Sequence, residues 1–282
     1  PLQIMKKNKD QQTGHGESYW NEVPGGLDDN NHYLDPFLAQ LKRRENLRLV
    51  QEWGGLGPDS IILKTDAFEE AMGGDSFLAD LQQDGRQVTG MDLSSEIARR
   101  ARENHGGSGI RFLAADVRQL PVSDNSFSVV VSPSTLDHFQ DASDLGISLA
   151  ELFRVMKPGG RLVITLDNRQ NLFDPLLKLV HRLGWVPYFI GQSYTVSELR
   201  AELEQVGFEV RETTAILHNP RLVAVATMKL VRWLRWRPLI RLTEKLMVKA
   251  QRLENTFLCY YTGSFVAALG VRPERSPNSS SP

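Results

Sequence analysis

The chain has little of what defines several common classes of protein. Its 282 residues include one cysteine, Cys259, which excludes an internal disulfide and a cysteine-based zinc site. No apolar run approaches the roughly 18 residues that cross a bilayer, since the longest candidate, Leu222 to Met228, ends at Lys229. Residues 1–17 contain three lysines but no apolar block behind them, so no signal peptide is expected. The histidines lack metal-ligand spacing, and no metal is expected.

Charge of either sign is not in excess. Lysine and arginine number 33 and aspartate and glutamate 34, giving a formal net charge of −1. Such a balance removes any general attraction to nucleic acid, so no nucleic-acid partner is expected. With 41% hydrophobic residues, the chain can bury a core. The near absence of cysteine favours a reducing compartment, and a cytoplasmic location is predicted.

Strand and helix patterns alternate along the middle of the chain. Strands are predicted at 60–64, 88–92, 110–116, 127–132, 161–166, from 208 onward and at 265–269, and helices at 34–53, 76–85, 94–102, 143–156 and 195–205, with a turn at 157–160. The apolar run at 127–132 is typical of the middle of a parallel sheet with helices on both faces. We therefore predict an α/β fold with a doubly wound parallel sheet over residues 34–272. Residues 1–33 and 273–282 are predicted to be a polar N-terminal tail and a disordered C-terminal tail.

The stretch 58–92 has the pattern of half a nucleotide-binding unit. A buried strand, a helix and a second strand ending in Asp92 follow one another, and a carboxylate in that place can accept hydrogen bonds from two ribose hydroxyls. The turn after the first strand should be rich in glycine, which lets the backbone approach a ligand closely. Here that turn contains no glycine between Lys64 and Glu70.

Two later segments resemble motifs of a known family. "DNSFSVVVSPSTLDHFQD" and "ELFRVMKPGGRLVIT" look like the fourth-strand and fifth-strand signatures of the class I S-adenosylmethionine (SAM)-dependent methyltransferases, in particular the methyltransferase type 11 group. The resemblance covers roughly 58–215. It implies a Rossmann-like seven-stranded sheet with helical insertions after strands 5 and 6, and SAM as the cofactor.

The resemblance also assigns positions around the cofactor. Asp92, with Leu93 beside it, would hold the ribose, whereas Ala115 and Asp116, followed by Val117, would hold the adenine. The methyl group would lie near the end of the fourth strand, from Ser132 to His138. These assignments are what the family implies for this sequence.

The first glycine motif departs from the family pattern of acid–x–Gly–x–Gly–x–Gly. One alignment puts Lys64 at the acid and Asp66 at the first glycine. A second alignment keeps Gly73 and Gly74 as the last glycine, after a lengthened loop 64–72. A lysine in place of the acid would attract the SAM carboxylate and disfavour the sulfonium, and nearby acids such as Asp66 could restore negative charge. Lys64, Asp66, Gly73 and Gly74 are therefore candidate cofactor-binding residues.

His138 is the candidate catalytic residue. Methyl transfer is an in-line displacement that depends mainly on positioning, but a hydroxyl acceptor also needs a base. His138 follows the fourth strand, and histidine titrates near neutrality. The alternative is that His138 orders the loop or caps the next helix.

Two insertions are expected to set the acceptor. Residues 168–194 carry aromatic and aliphatic side chains that would form a lid or pack as an ordinary extra helix. Residues 220–254 carry nine basic residues against Glu244 and Glu254, and Pro238 divides them into two helices.

The second of these helices is predicted to have a basic face and an apolar face. The basic residues Arg241, Lys245 and Lys249 share one side, and the leucines Leu239, Leu242, Leu246 and Leu253 the other, with Trp233 and Trp236 nearby. Such helices bind anionic membrane surfaces or acidic substrates, and otherwise form a solvated pair on the sheet edge.

The sequence predicts SAM-dependent methyl transfer to a small-molecule, lipid or glycan acceptor. The alternative is a methyltransferase-like protein that has lost catalysis and serves as a scaffold, associated with the membrane surface through residues 220–254. A dehydrogenase is disfavoured because no Gly-x-Gly-x-x-Gly follows the first strand.

Overall fold

The computed structural model describes residues 35–72, 77–83, 85–183 and 191–274. The predictions for the two tails up to residue 34 and after residue 274, for Gly73 and Gly74, and for the middle of the lid insertion at 184–190 lie outside these residues.

Strands and helices alternate as predicted. The helices are α1 (Pro36–Trp53), α2 (Phe68–Met72), α3 (Phe77–Leu81), α4 (Ser95–Asn104), α5 (Ser143–Val155), α6 (Asp174–Arg182), α7 (Val196–Val206), α8 (Arg221–Trp233), α9 (Arg237–Ala250) and α10 (Cys259–Thr262). The strands are β1 (Ile61–Lys64), β2 (Gln87–Asp92), β3 (Arg111–Ala114), β4 (Phe127–Pro133), β5 (Met156–Asp167), β6 (Glu209–Ile216) and β7 (Phe265–Val271). In the described part of the chain, no helix is both long and apolar enough to cross a membrane.

The seven strands form one sheet in the order β3-β2-β1-β4-β5-β7-β6. The seven-stranded, doubly wound fold is thus confirmed, but the expectation of an entirely parallel sheet is wrong for β7, which runs antiparallel to both β5 and β6. Phe265 at the start of β7 pairs with Ile216 at the end of β6 and with Asp167 at the end of β5. The insertion therefore returns the chain at the edge where β6 ended, and β7 has to run backward.

The core lies on both faces of the sheet because alternate side chains of a strand point to opposite faces. Val130 belongs to the cluster covered by α5 and α7, whereas Val129 and Val131 belong to the cluster covered by α1, α3 and α4. This explains why the middle of β4 reads as a continuous apolar run of three valines.

Two local predictions need correction. The segment 64–72 is not a loop throughout, because the Phe68 N–H donates to Asp66 Oδ1 at 2.8 Å and α2 begins there. The turn expected at 157–160 after α5 instead lies within β5, because Gly159 and Gly160 exchange backbone hydrogen bonds with Arg272.

The insertion after β6 forms two helices with a small core of their own. Ala224, Met228 and Val231 of α8 pack with Met247 of α9, and Pro238 stands at the start of α9. The prediction that the leucines of α9 share a face opposite the basic residues is wrong for Leu242 and Leu246. They are 53% and 57% exposed, because α9 packs through Met247 together with Leu239 and Ile240.

Candidate cofactor and acceptor site

The ends of β1, β2 and β4 meet where the strand order changes direction. β1 has β2 on one side and β4 on the other, and in doubly wound sheets ligands bind in the crevice at this switch point. Lys64, Asp92 and Ser132 all stand at these strand ends, so the structure brings together the central residues predicted from sequence.

Lys64 lies inside the protein. Its side chain is fully buried, as is that of Glu70, and its Nζ is 2.8 Å from Glu70 Oε2 and 3.5 Å from Asp66 Oδ2. Burial opposes the charge of Lys64, yet Asp66, Glu70 and Glu69 together raise its pKa above the usual range. Glu70 in turn accepts a hydrogen bond from the Leu78 N–H at 3.2 Å. The positive charge is therefore matched within the turn and is not presented to a ligand.

Asp66 and Asp92 bring two carboxylates to adjacent strand ends. The side chain of Asp66 is 22% exposed; burial opposes its ionisation, but Lys64 holds its pKa below the usual value. Asp92 accepts from the N–H groups of Ala67 at 3.2 Å and Ser94 at 2.9 Å. Burial, and then the charge of Asp66, raise the pKa of Asp92 to about 7. Any further hydrogen-bond donor to this buried carboxyl would favour its ionised form.

These residues fit SAM. The cofactor carries an ammonium, a sulfonium and two ribose hydroxyls, which require negative charge or acceptors. Asp66 is ionised and partly exposed, and Asp92 offers carboxylate oxygens. The cation in the turn, Lys64, forms an ion pair with Glu70 and does not oppose the positive charges of the cofactor. The lysine at the family's acidic position is thus compatible with the cofactor.

Three hydroxyls join the ends of β1 and β4. Thr65 Oγ1 donates to Ser132 Oγ at 3.0 Å and lies 3.1 Å from Thr135 Oγ1. Ser132 is fully buried, so its hydroxyl holds the two strand ends together at the switch point. Sequence reasoning selected Ser132 but missed Thr65 and Thr135, for which the only signal was a hydroxyl residue after each strand.

Asp137 ties the end of β4 to the end of β5. Its Oδ2 accepts from Ser134 Oγ at 2.9 Å and from the Asp167 N–H at 2.8 Å, and burial raises its pKa, with Asp167 adding to the effect. His138, in the short 3₁₀ helix Leu136–His138, has its Nε2 3.8 Å from Asp137 Oδ1 and keeps 35% of its side chain exposed. The predicted base thus stands beside a buried carboxylate at the strand end.

The predicted adenine site lies one strand further out. Ala115 and Asp116 follow β3, whose last residue pairs with Asp92. The carboxylate of Asp116 is bound by Arg118, with Nη2 to Oδ2 at 2.7 Å, and these bonds lower its pKa. Val117 is buried and Leu93 is half-buried. Asp116 would therefore meet an adenine amine as an ion pair with Arg118 and not as a free acid.

A small open cleft lies beyond Asp137, where β5 ends and β7 begins. Asp167, Asn168 and Ser264 give it a polar lining, whereas Leu176 of α6 and Val223 of α8 give it an apolar one.

Arg221 holds one wall of this cleft. Its guanidinium binds Asp167 and lies 4.2 Å above the ring of Phe265. Sequence reasoning did not select Asp167 or Arg221, although an acid at a strand end was a usable signal.

Comparison with known proteins defines the class of the domain. Residues 69–164 match the family model described as a methyltransferase domain. The chain is similar to the ubiquinone/menaquinone biosynthesis C-methyltransferase UbiE of Desulfotalea psychrophila, with 37% identity over 100 residues, covering 35% of this chain and 39% of that protein. It is also similar to phosphoethanolamine N-methyltransferase 2 of Caenorhabditis elegans, with 30% identity over 133 residues, covering 46% and 29%. The chain spans about half the length of the curated relatives it matches, or less.

Solved structures agree on the fold. Phosphoethanolamine N-methyltransferase 2 of Haemonchus contortus in complex with S-adenosyl-L-methionine aligns with a TM-score of 0.56 at 17% identity, covering 82% of this chain and 53% of that one. The cyclase SpnF aligns with a TM-score of 0.55 at 17% identity, covering 82% and 81%. At such identities the likeness shows the fold alone.

The predicted class is therefore confirmed for part of the chain: residues 69–164 match a methyltransferase domain, the fold is that of the class I methyltransferases, and SAM is the cofactor of that class. The match begins at residue 69, so it leaves out β1 and the turn that contains Lys64 and Asp66. The structure pairs Lys64, which lies outside the matched segment, with Glu70, which lies inside it.

Proposed function

We propose that this chain transfers a methyl group from SAM to a small-molecule, lipid or glycan acceptor. The observation that carries the proposal is the pair of carboxylates, Asp66 and Asp92, at the switch point of a methyltransferase domain, with the Lys64 charge neutralised behind them. When bound, SAM supplies a methyl group on a positively charged sulfur, ready for in-line displacement.

The chain's own residues position the reactants. Asp92 accepts hydrogen bonds from the ribose hydroxyls, and Asp66 attracts the ammonium. The Lys64–Glu70 pair is a positioning element, because it fixes the turn that carries Asp66. His138 takes a proton from an acceptor hydroxyl or amine, and its Nε2 lies 3.8 Å from Oδ1 of the buried Asp137 side chain.

The acceptor site proposed here is the cleft beside Asp167. Asp137 links the end of β4 to this residue through the Asp167 N–H, so the cleft adjoins the strand end at which methyl transfer is expected. Its polar and apolar linings suit an acceptor with one polar end and one apolar end. Residues 168–194, which supply α6, would shape the acceptor side.

The proposal is tested by isothermal titration calorimetry with SAM and S-adenosylhomocysteine on the purified chain. Binding in the micromolar range is expected, with more than tenfold weaker binding after Asp92→Ala. Absence of binding by both ligands would contradict it.

A second candidate, a binding protein without catalysis, is favoured by one feature only. The turn after β1 contains no glycine from Lys64 to Glu70, and the family match begins only at residue 69. This candidate predicts that neither SAM nor S-adenosylhomocysteine binds, so the same titration separates the two functions.

A further inference from the structure

The helical insertion exposes an apolar surface that its own core does not use. Trp233 and Trp236 are 76% and 61% exposed, and Leu230, Leu242 and Leu246 are each more than half exposed. These residues lie opposite or beside Met228, Val231 and Met247, which the two helices bury against each other. Exposed apolar patches of this kind mark binding surfaces.

Cations surround these apolar side chains. They are Lys229, Arg235, Arg237, Arg241, Lys245, Lys249 and Arg252, none of which forms an ion pair with another residue in the described part of the chain. Arg232 and Arg221 differ, because Asp35 and Asp167 bind them. On α9 two of these cations and the two exposed leucines form adjacent stripes, since Leu242 follows Arg241 and Leu246 follows Lys245, each about 100° further around the helix.

A third apolar segment lies across the cleft. Leu172, Leu176, Leu179 and Leu183, in and beside α6, are all about half exposed or more. Leu176 and Val223 line the cleft from its two sides, and Val223 is on the outer face of α8. The mouth of the cleft therefore opens within the apolar surface.

We infer that the exposed faces of α6, α8 and α9 dock on an anionic membrane, with the mouth of the cleft toward the lipid. The docking surface consists of the exposed apolar residues and the seven cations named above. Tryptophan and leucine insert at the interface, and lysine and arginine bind anionic headgroups. That the cleft receives an acceptor with an apolar tail rests on the proposed function, whereas the docking does not.

Charge favours a membrane over the other occupants. Two copies of this surface would bring two sets of seven like charges together, which opposes a symmetric dimer. A nucleic acid would use the cations but leave Leu242, Leu246 and the tryptophans exposed. An anionic bilayer offers both an apolar interior and negative headgroups.

The test is flotation of the full chain with vesicles. Vesicles of phosphatidylcholine with about 30% phosphatidylglycerol, in about 0.1 M salt, should carry the protein, and pure phosphatidylcholine vesicles should not. Replacing Arg241, Lys245 and Lys249 with glutamine should weaken binding by about fivefold for each charge removed. Trp233→Ser with Trp236→Ser should weaken it by at least about tenfold.

A matched control removes three cations elsewhere. Arg99, Arg200 and Arg211 lie on α4, α7 and β6 and are at least 43% exposed, and their replacement by glutamine should leave vesicle binding unchanged. An equal loss in this control would overturn the inference, because net charge alone would then account for binding.

Orientation is tested by a fluorophore on a new thiol. The single natural cysteine, Cys259, is buried, so Leu176→Cys introduces an accessible site for an environment-sensitive dye. Its emission should rise on anionic vesicles, and a dye on Ile147→Cys, on α5 across the sheet, should not respond. A response at Ile147 and none at Leu176 would overturn the orientation.

Other outcomes overturn the docking while leaving the proposed function in place. One such outcome is that SAM binds in calorimetry but the protein does not bind vesicles. A concentration-dependent dimer that Trp233→Ser abolishes is another, because the surface would then hold a second copy. If vesicle binding appears only after residues 1–34 are removed, that segment and not a membrane would occupy the surface in the full chain.

Discussion

The Lys64 ammonium lies 2.8 Å from the Glu70 carboxylate, and neither side chain is exposed. Lys64 ends the central strand β1 and Glu70 belongs to α2, so the pair ties the strand to the helix that follows. A turn built on glycine needs no such tie. Here the turn has no glycine, and the Lys64–Glu70 ion pair and the Asp66 cap on α2 fix its conformation.

Breaking this pair should destabilise the protein strongly. Lys64→Met leaves Glu70 buried without its cation, which should cost about 3–5 kcal/mol of unfolding free energy. Adding Glu70→Gln should recover most of that loss, since glutamine keeps the acceptor for the Leu78 N–H. Urea unfolding of both single variants and the double variant measures the coupling; additive effects would show that the pair has no special role.

Asp92 should make stability fall as pH rises. Its pKa is raised from 3.8 to about 7, so the folded state binds more protons than the unfolded state between these values and loses stability across that window. Asp92→Asn removes this titrating carboxyl. The free energy of unfolding of the variant, relative to that of the natural chain, should therefore increase from pH 4 to 7, toward a limit on the order of 4 kcal/mol. Parallel pH dependences of the two proteins in urea unfolding would refute the raised pKa.

SAM binding should depend on the two strand-end carboxylates. Asp66→Asn removes the charge offered to the ammonium, and Asp92→Ala removes the ribose acceptor, so each should weaken binding by more than about tenfold in calorimetry. Asp124→Asn is the matched control, because that acid lies in a loop on the N-terminal side of β4 and is 67% exposed. Unchanged affinity in Asp66→Asn would leave the ammonium to another group.

His138 should affect transfer but not cofactor binding. His138→Ala is expected to keep SAM affinity within about twofold and to reduce methyl incorporation by about 10²–10⁴-fold. Incorporation of labelled methyl from SAM into lipid and water-soluble extracts provides the readout. Full incorporation would leave His138 only a structural role in the loop.

The sequence by itself determined the order of strands and helices, the acids at the strand ends and the class of the domain. These features rest on local signals: the apolar run of β4, the helical pattern at 195–205, where the structure has a capping box formed by Thr195 and Glu198, and the position of Asp92 at the end of β2. Local signals survive in a single sequence because the residues that produce them are neighbours along the chain.

The tertiary structure alone decided the direction of β7, the partner of Lys64 and which face of α9 is buried. β7 runs backward because the insertion returns at the edge where β6 ended. Lys64 could have faced a ligand, but its ammonium turns inward, where Glu70 neutralises it. Leu242 and Leu246 stay exposed because Met247 takes the place against α8. Each outcome depends on which elements pack together, and helical or strand periodicity does not specify that.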